Sequence, residues 1–223
     1  MSMKLSVDWD WVKEELIRKE KVALSENSEV SKTLEKCLKE AKGTVNPRVT
    51  HIIKKIVKID SDSVIIEGPF KFSSKRLASH IKGSSHIAIF LVTIGNMLEK
   101  AATDAMSNGE DLKGYFFDRI GSMAVESVGK CVEENLRKSY ANEDRTVSIR
   151  FSPGYCDWRI EEQFIIDKIL DFFKIGVRLT KACMMVPRKS ISAIAGIGPQ
   201  GRFEKRESPC SFCEVNDCSY KRD

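Results

Sequence analysis

Histidine is scarce in this sequence, with only His51, His80 and His86 among 223 residues. None has a cysteine or a second histidine at a metal-ligand spacing, and no nucleophile–base triad is visible, so proton-shuttling chemistry is not expected. Seven cysteines are too few and too scattered for a disulfide scaffold in a chain of this length. No apolar stretch approaches the roughly eighteen residues needed to span a bilayer, and Met1-Ser2-Met3-Lys4-Leu5 lacks the apolar run of a secretory signal. A reducing cytoplasm is the expected compartment. Charge of one sign is also missing. Lys and Arg number 37 against 32 acids, a net +5 spread along the chain, which excludes a basic face for nucleic acid. Internal repeats and low-complexity linkers are absent as well.

What remains is 42% hydrophobic and 31% charged, enough for one large globular domain or two small ones. Residues 9–20 predict a short helix or an arm anchored by Trp9 and Trp11. Ser28 is placed to cap a helix with Val30, Leu34, Leu38 and Ala41 on one face, stopping near Gly43. His51–Ile59 and Val64–Ile66 read as a hairpin around Asp60–Ser63, and Ser73-Ser74 cap a short helix to Ile81. His86–Thr93 is a continuous apolar run, the pattern of a buried central strand. Asn96 is placed to cap a helix to Ser107. A long helix over about 112–140 buries Phe116, Ile120, Met123, Val128, Val132 and Leu136. Its glycines 114, 121 and 129 imply close packing or a ligand against its surface.

Thr146–Phe151 reads as a strand that breaks at Pro153-Gly154. Arg150 at the mouth of that turn offers five fixed donors suited to a carboxylate, and Gly154 a backbone that a ligand can approach. Trp158–Phe173 predicts an amphipathic helix with Ile160, Phe164, Ile165 and Ile169 inward. Met184–Pro187 and Ser190–Ile194 are strand-like, and the order ends at Gly196–Pro199. The mixture predicts an α+β fold, a central mixed or antiparallel sheet with packed helices. Cys210, Cys213 and Cys218 form a compact C-x-x-C-x-x-x-x-C array. With a fourth ligand, Cys183 or Cys156, it suits an iron–sulfur cluster or zinc; the alternatives are a redox dithiol or a reduced tail without metal.

The Arg150-x-x-x-Gly154-Tyr155 turn is similar to a motif of the activation domain of cobalamin-dependent methionine synthase. Val92-Thr93-Ile94-Gly95 with Glu99, the Asp118-Arg119 helix with Glu126, and Leu179-Thr180 through Met185, Pro187, Ser190 and Ser192 resemble further blocks in the same order, over about 85–200. The resemblance implies an activation-domain-like body over 1–205 and a cysteine-rich tail over 206–223. It also implies S-adenosylmethionine in a shallow groove, with Arg150 on its carboxylate, Pro153, Gly154 and Tyr155 shaping the groove, Glu126 near its positive side and Phe203 as an aromatic neighbour. The implied role is that of a stand-alone reactivation factor. Its partner would be a corrinoid-binding methyltransferase lacking its own activation domain, whose inactive Co(II) cobalamin is reductively methylated. The sequence departs from the family where a Tyr-Tyr pair is Phe203-Glu204, where Cys183 replaces an aromatic, and in the tail. A metal or iron–sulfur electron-transfer protein acting on a corrinoid protein is the alternative, and a pure docking module a third.

Overall fold

In the computed structural model, residues 3–20 and 28–203 are described. The elements in chain order are α1 (Trp9–Glu20), α2 (Glu29–Thr44), β1 (Arg48–Ile59), β2 (Ser63–Ile66), β3 (Phe70–Ser73) and α3 (Lys75–His80). There follow β4 (His86–Thr93), α4 (Met97–Ser107), α5 (Asp111–Tyr140) and β5 (Arg145–Val147). The chain finishes with α6 (Gln163–Leu170), β6 (Arg178–Leu179), β7 (Met185–Val186) and β8 (Ser190–Pro199). The fold is α+β. Two units divide it: the described residues up to Val49 with Val92–Val132 and Phe173–Ile191, and Thr50–Leu91 with Glu133–Phe172 and the described residues from Ser192 on.

The first unit is mainly helical. Ser28 caps α2, its hydroxyl accepting from the Ser31 amide, and Leu34, Cys37, Leu38 and Ala41 form the buried face. The helix runs one residue past Gly43, to Thr44. Gly114 of α5 lies against α4: a Cβ there would stand 2.9 Å from the Ala102 carbonyl oxygen and 2.5 Å from Met106 Cγ. The glycine is thus a packing requirement, as one of the two sequence readings had it. A polar knot follows β7. Lys189 Nζ donates to Asp118 (2.8 Å) and Ser122 (2.9 Å), while its amide donates to Glu99 (2.7 Å). A buried ammonium is tolerated there because its donors are taken.

The second unit carries the six-stranded sheet, ordered β3-β2-β1-β4-β8-β5, with strand ends continuing into the first unit's residues. The pairs β1–β2, β2–β3 and β5–β8 are antiparallel. Residues 87–92 of β4 are wholly buried, as an unbroken apolar run between flanking strands requires. A bulge between Ile56 and Lys58 accompanies the outward Val57, 66% exposed. β8 runs on through Gly196 and Gly198 to Pro199, so these glycines do not end the order. A Cβ at Gly196 would meet Ser84 Oγ at 2.4 Å and Ile81 Cβ at 2.9 Å, an approach that only glycine permits.

The segment after the turn differs from the expected single helix. Residues 160–162 form a 3-10 turn, α6 starts at Gln163, and the buried face is Gln163, Ile166 and Leu170. Ile160 and Phe164 are exposed, and so is Phe173, while Phe172 is buried. The late start rotates the helix from the phase that Trp158 would have set.

Gly114→Ala is expected to destabilise by about 1–3 kcal/mol despite alanine's better helix propensity, because the methyl has no room. Gly43 has nothing within 4 Å of its Cβ position. Gly43→Ala should therefore stabilise, by up to about 1 kcal/mol. Denaturant midpoints of the two variants, moving in opposite directions, check both.

Candidate functional site around the Arg150–Tyr155 turn

The turn is anchored at its entry by backbone pairing. Ser148 and Phe151 continue alongside β8, with Ser148 N–H donating to Gly196 O (2.9 Å) and Phe151 bridged to Ile194 by reciprocal bonds of 2.8 and 2.9 Å. The regular strand, however, covers only Arg145–Val147, shorter than the expected Thr146–Phe151. The Ser148 hydroxyl accepts from Gly196 N and donates to Ile149 O, which diverts the ladder.

At its apex Gly154 adopts φ +91, a conformation that disfavours a side chain, and its amide donates to Trp158 O at 2.7 Å. The exit is held by two carboxylates. Asp157 accepts from the Ser74 hydroxyl (2.8 Å) and from the Lys75 (2.6 Å) and Arg76 (3.2 Å) amides, closing the first turn of α3. Glu162 accepts from the Ser73 amide (3.0 Å) and from Trp158 Nε1 (2.6 Å). Beneath the turn, Phe151 stacks on Trp158 at 5.8 Å and 15°, and Phe72 meets Trp158 edge-on at 5.7 Å. Tyr155 meets Phe151 edge-on at 5.9 Å. Pro153 is buried, Tyr155 half-buried and Gly154 exposed.

Arg150 is not open at the mouth of the turn. It is 3% exposed, and its guanidinium is ion-paired with Glu133 of α5, itself 5% exposed. Arg137 pairs with the other Glu133 oxygen at 3.1 Å, one helical turn along. The carboxylate that Arg150 meets thus belongs to its own chain. Sequence reasoning missed Glu133. The Glu133–Arg137 spacing on α5 was visible, but the contact with Arg150 is made only by folding.

Over residues 75–205, more than half of the chain, the sequence matches the family model described as vitamin B12 dependent methionine synthase, activation domain. The chain belongs to that family. A solved structure described as the MetH reactivation domain bound to AdoHcy resembles it with a TM-score of 0.65, covering 88% of this chain and 75% of that one at 18% identity. That likeness confirms the α+β activation-domain fold. No curated protein sequence matches significantly.

In this activation-domain chain the expected ligand-binding residues divide between the units. Arg150, Pro153, Gly154, Tyr155 and Phe203 belong to the second, Glu126 to the first, half-buried on α5. Phe203 packs within 3.4 Å of the Cβ position of Gly198, with the Arg202 guanidinium 5.4 Å from its ring. Cys183 is buried in the first unit and takes φ +60 at the turn between β6 and β7, whereas Cys156 belongs to the second. Cys210, Cys213 and Cys218 lie outside the described residues. Among the described residues no cluster of three or more His, Cys, Asp or Glu side chains can hold a metal ion, and no helix is long and apolar enough to cross a membrane.

Asp157 titrates below the ordinary carboxylate range. Burial works against this, but the Ser74 hydroxyl and the Lys75 and Arg76 amides outweigh it. His80 titrates below the usual histidine value because of burial, partly opposed by its Nε2 bond to Ile149 O (2.7 Å) and by Glu133.

Glu133→Gln should destabilise the protein by about 3 kcal/mol or more, since it strips the buried Arg150 guanidinium of its counter-charge, and urea denaturation measures the loss. For His80 the folded state holds the proton less tightly than the unfolded state does. Its stabilising contribution is complete above the unfolded value near ~6.5 and is lost as pH falls through the folded one. Denaturant midpoints should therefore drop from pH 7 to pH 5, and drop less in His80→Gln, whose amide can still donate to Ile149 O.

Proposed function

We propose that the chain binds S-adenosylmethionine against the Arg150–Tyr155 turn and acts as a reactivation factor in trans for a cobalamin-dependent methyltransferase. The observation that carries this is the turn itself: a positive-φ glycine, exposed, flanked by a half-buried tyrosine and accompanied by a buried Arg150–Glu133 pair that half-buried Arg137 joins, within the matched family segment. The AdoHcy named in the similar structure differs from S-adenosylmethionine by one methyl group, which supports the choice of ligand class.

The ligand's α-amino acid end carries one charge of each sign. Arg150 can take the carboxylate as a charge-assisted fork, and Glu133 the ammonium. In this reading Glu133 performs the acidic role expected of Glu126. With two guanidiniums around one carboxylate the group keeps a positive excess, which favours the carboxylate end. Because both partners are closed off from water, binding has to open the pair and share its hydrogen bonds with the ligand. The protein's contribution is placement of the sulfonium methyl, and a properly oriented reactant is worth several orders of magnitude in rate. The partner's cobalamin supplies the redox and methyl-accepting chemistry.

The body over 1–205 would be this placement module, working in the cytoplasm. The tail over 206–223 would bring the thiols of Cys210, Cys213 and Cys218 toward a zinc ion or iron–sulfur cluster, with Cys183 as the fourth ligand. Metal analysis of protein purified without oxygen, with Cys183→Ser beside it, tests that part separately.

Calorimetry with S-adenosylmethionine on the same material should show binding by the wild type. Arg150→Lys retains a cation for Glu133 but loses the fork, so affinity should fall by about 1.5–3 kcal/mol while the far-ultraviolet spectrum is unchanged. Equal affinity in the two proteins, or none in the wild type, removes the ligand from this turn. Restoration of an inactive corrinoid methyltransferase only when protein, S-adenosylmethionine and a reductant are all present would establish the role in trans.

A further inference from the structure

We infer that Arg48, in the first unit, is the receptor for a small oxyanion, the terminal group of a phosphate or carboxylate ligand. Its Nε is buried and has no hydrogen-bond partner, and no acidic side chain among the described residues pairs with it. Buried donors without partners are rare in native proteins, and one on a permanently charged group calls for an explanation. Two positive-φ glycines flank the guanidinium, Gly176 (φ +71) and Gly95 (φ +79). A Cβ at Gly176 would stand 2.9 Å from Arg48 Nη1, and one at Gly95 would stand 3.8 Å from Nη2. A side chain at Gly176 would press on the planar head, whereas one at Gly95 would be in ordinary contact with it.

Gly95 stands two residues before the first residue of α4. Asn96, the N-cap, is exposed and makes no side-chain capping bond, so the first-turn amides of this eleven-residue helix lack the usual side-chain acceptor. Guanidinium and helix-start amides are complementary to the same oxyanion. Glu99, the acid in the first turn of α4, is committed: it accepts the Lys189 amide at 2.7 Å and lies 3.8 Å from Arg188. Phe173, 81% exposed, belongs to the turn that positions Gly176, whose amide donates to Phe173 O at 2.9 Å. An anionic ligand that also carries a ring would find an aromatic face there.

This inference does not rest on the S-adenosylmethionine reading, since every residue in it belongs to the first unit and Arg150 to the second. The test uses the full chain and inorganic phosphate, with sodium acetate and sodium chloride at matched ionic strength. Phosphate should raise the wild-type melting temperature above the chloride control, and it should shift the Gly95, Asn96 and Met97 amide resonances in a saturable way. Arg48→Met keeps the stem packed and should weaken phosphate binding at least about tenfold, the worth of one charged hydrogen bond. A stronger response to acetate than to phosphate assigns the carboxylate class, and the reverse assigns phosphate. No response beyond chloride, an unchanged response in Arg48→Met, or amide shifts confined to other residues overturns the inference. Should Arg48→Met fail to fold, the wild-type amide titration decides alone.

Discussion

Glu133 is the charge on which the Arg150–Tyr155 turn is built. A carboxylate 5% exposed is costly to keep ionised unless cations meet it, and here Arg137 meets it from the same helix and Arg150 from the incoming strand. The intrahelical pair orients the carboxylate, leaving its other oxygen to Arg150. Arg150 then fixes where the chain must pass, and Phe151, next in sequence, is delivered onto Ile194 and Trp158. Removing either member leaves an uncompensated charge in the interior, so stability and the geometry of the turn are coupled through one contact.

The far end of the turn is fixed differently. Asp157 and Glu162 each spend a carboxylate on backbone amides and on a side-chain donor, tying the turn to α3 and to the end of β3. With both ends pinned, Gly154 and Tyr155 are held at the surface by a rigid frame, which is the requirement for orienting a ligand. The titratable groups close by are shifted by their structural surroundings: burial works against the donors that lower the Asp157 value, and burial lowers the His80 value against its Nε2 bond to Ile149 O. Under the proposed function such a turn would place the ligand and leave the bond-making to the partner's cofactor.

Much of the scaffold was legible because local rules and burial agree. The uninterrupted apolar run at β4, the serine caps of α2 and α3, and the 3.6-residue face of α5 each carry their meaning within a few residues of sequence. The misreadings come where a distant contact overrides the local pattern. Trp158 has its ring locked in the aromatic stack and its carbonyl taken by Gly154, so the helix cannot begin there, and a face counted from Trp158 points the wrong way. Arg150 was singled out as a ligand's partner, but the sequence could not show that Glu133, seventeen residues earlier, pairs with it. Arg48 was overlooked because it opens a run of β-branched residues and reads as a strand flank.

The two arginines separate two kinds of evidence. A buried guanidinium with a carboxylate against it has its charge met within the chain, so burial alone says little about a ligand, and the case for Arg150 rests on the family segment around it and on what binding would have to exchange. Arg48 has a buried Nε without a hydrogen-bond partner and no acid among the described residues against it, so its charge has no such internal account. Desolvating an unpaired donor costs about 1–3 kcal/mol. An oxyanion at Arg48 would remove that cost, whereas a ligand at Arg150 would first have to displace a charge already in place, so the two arginines call for different tests.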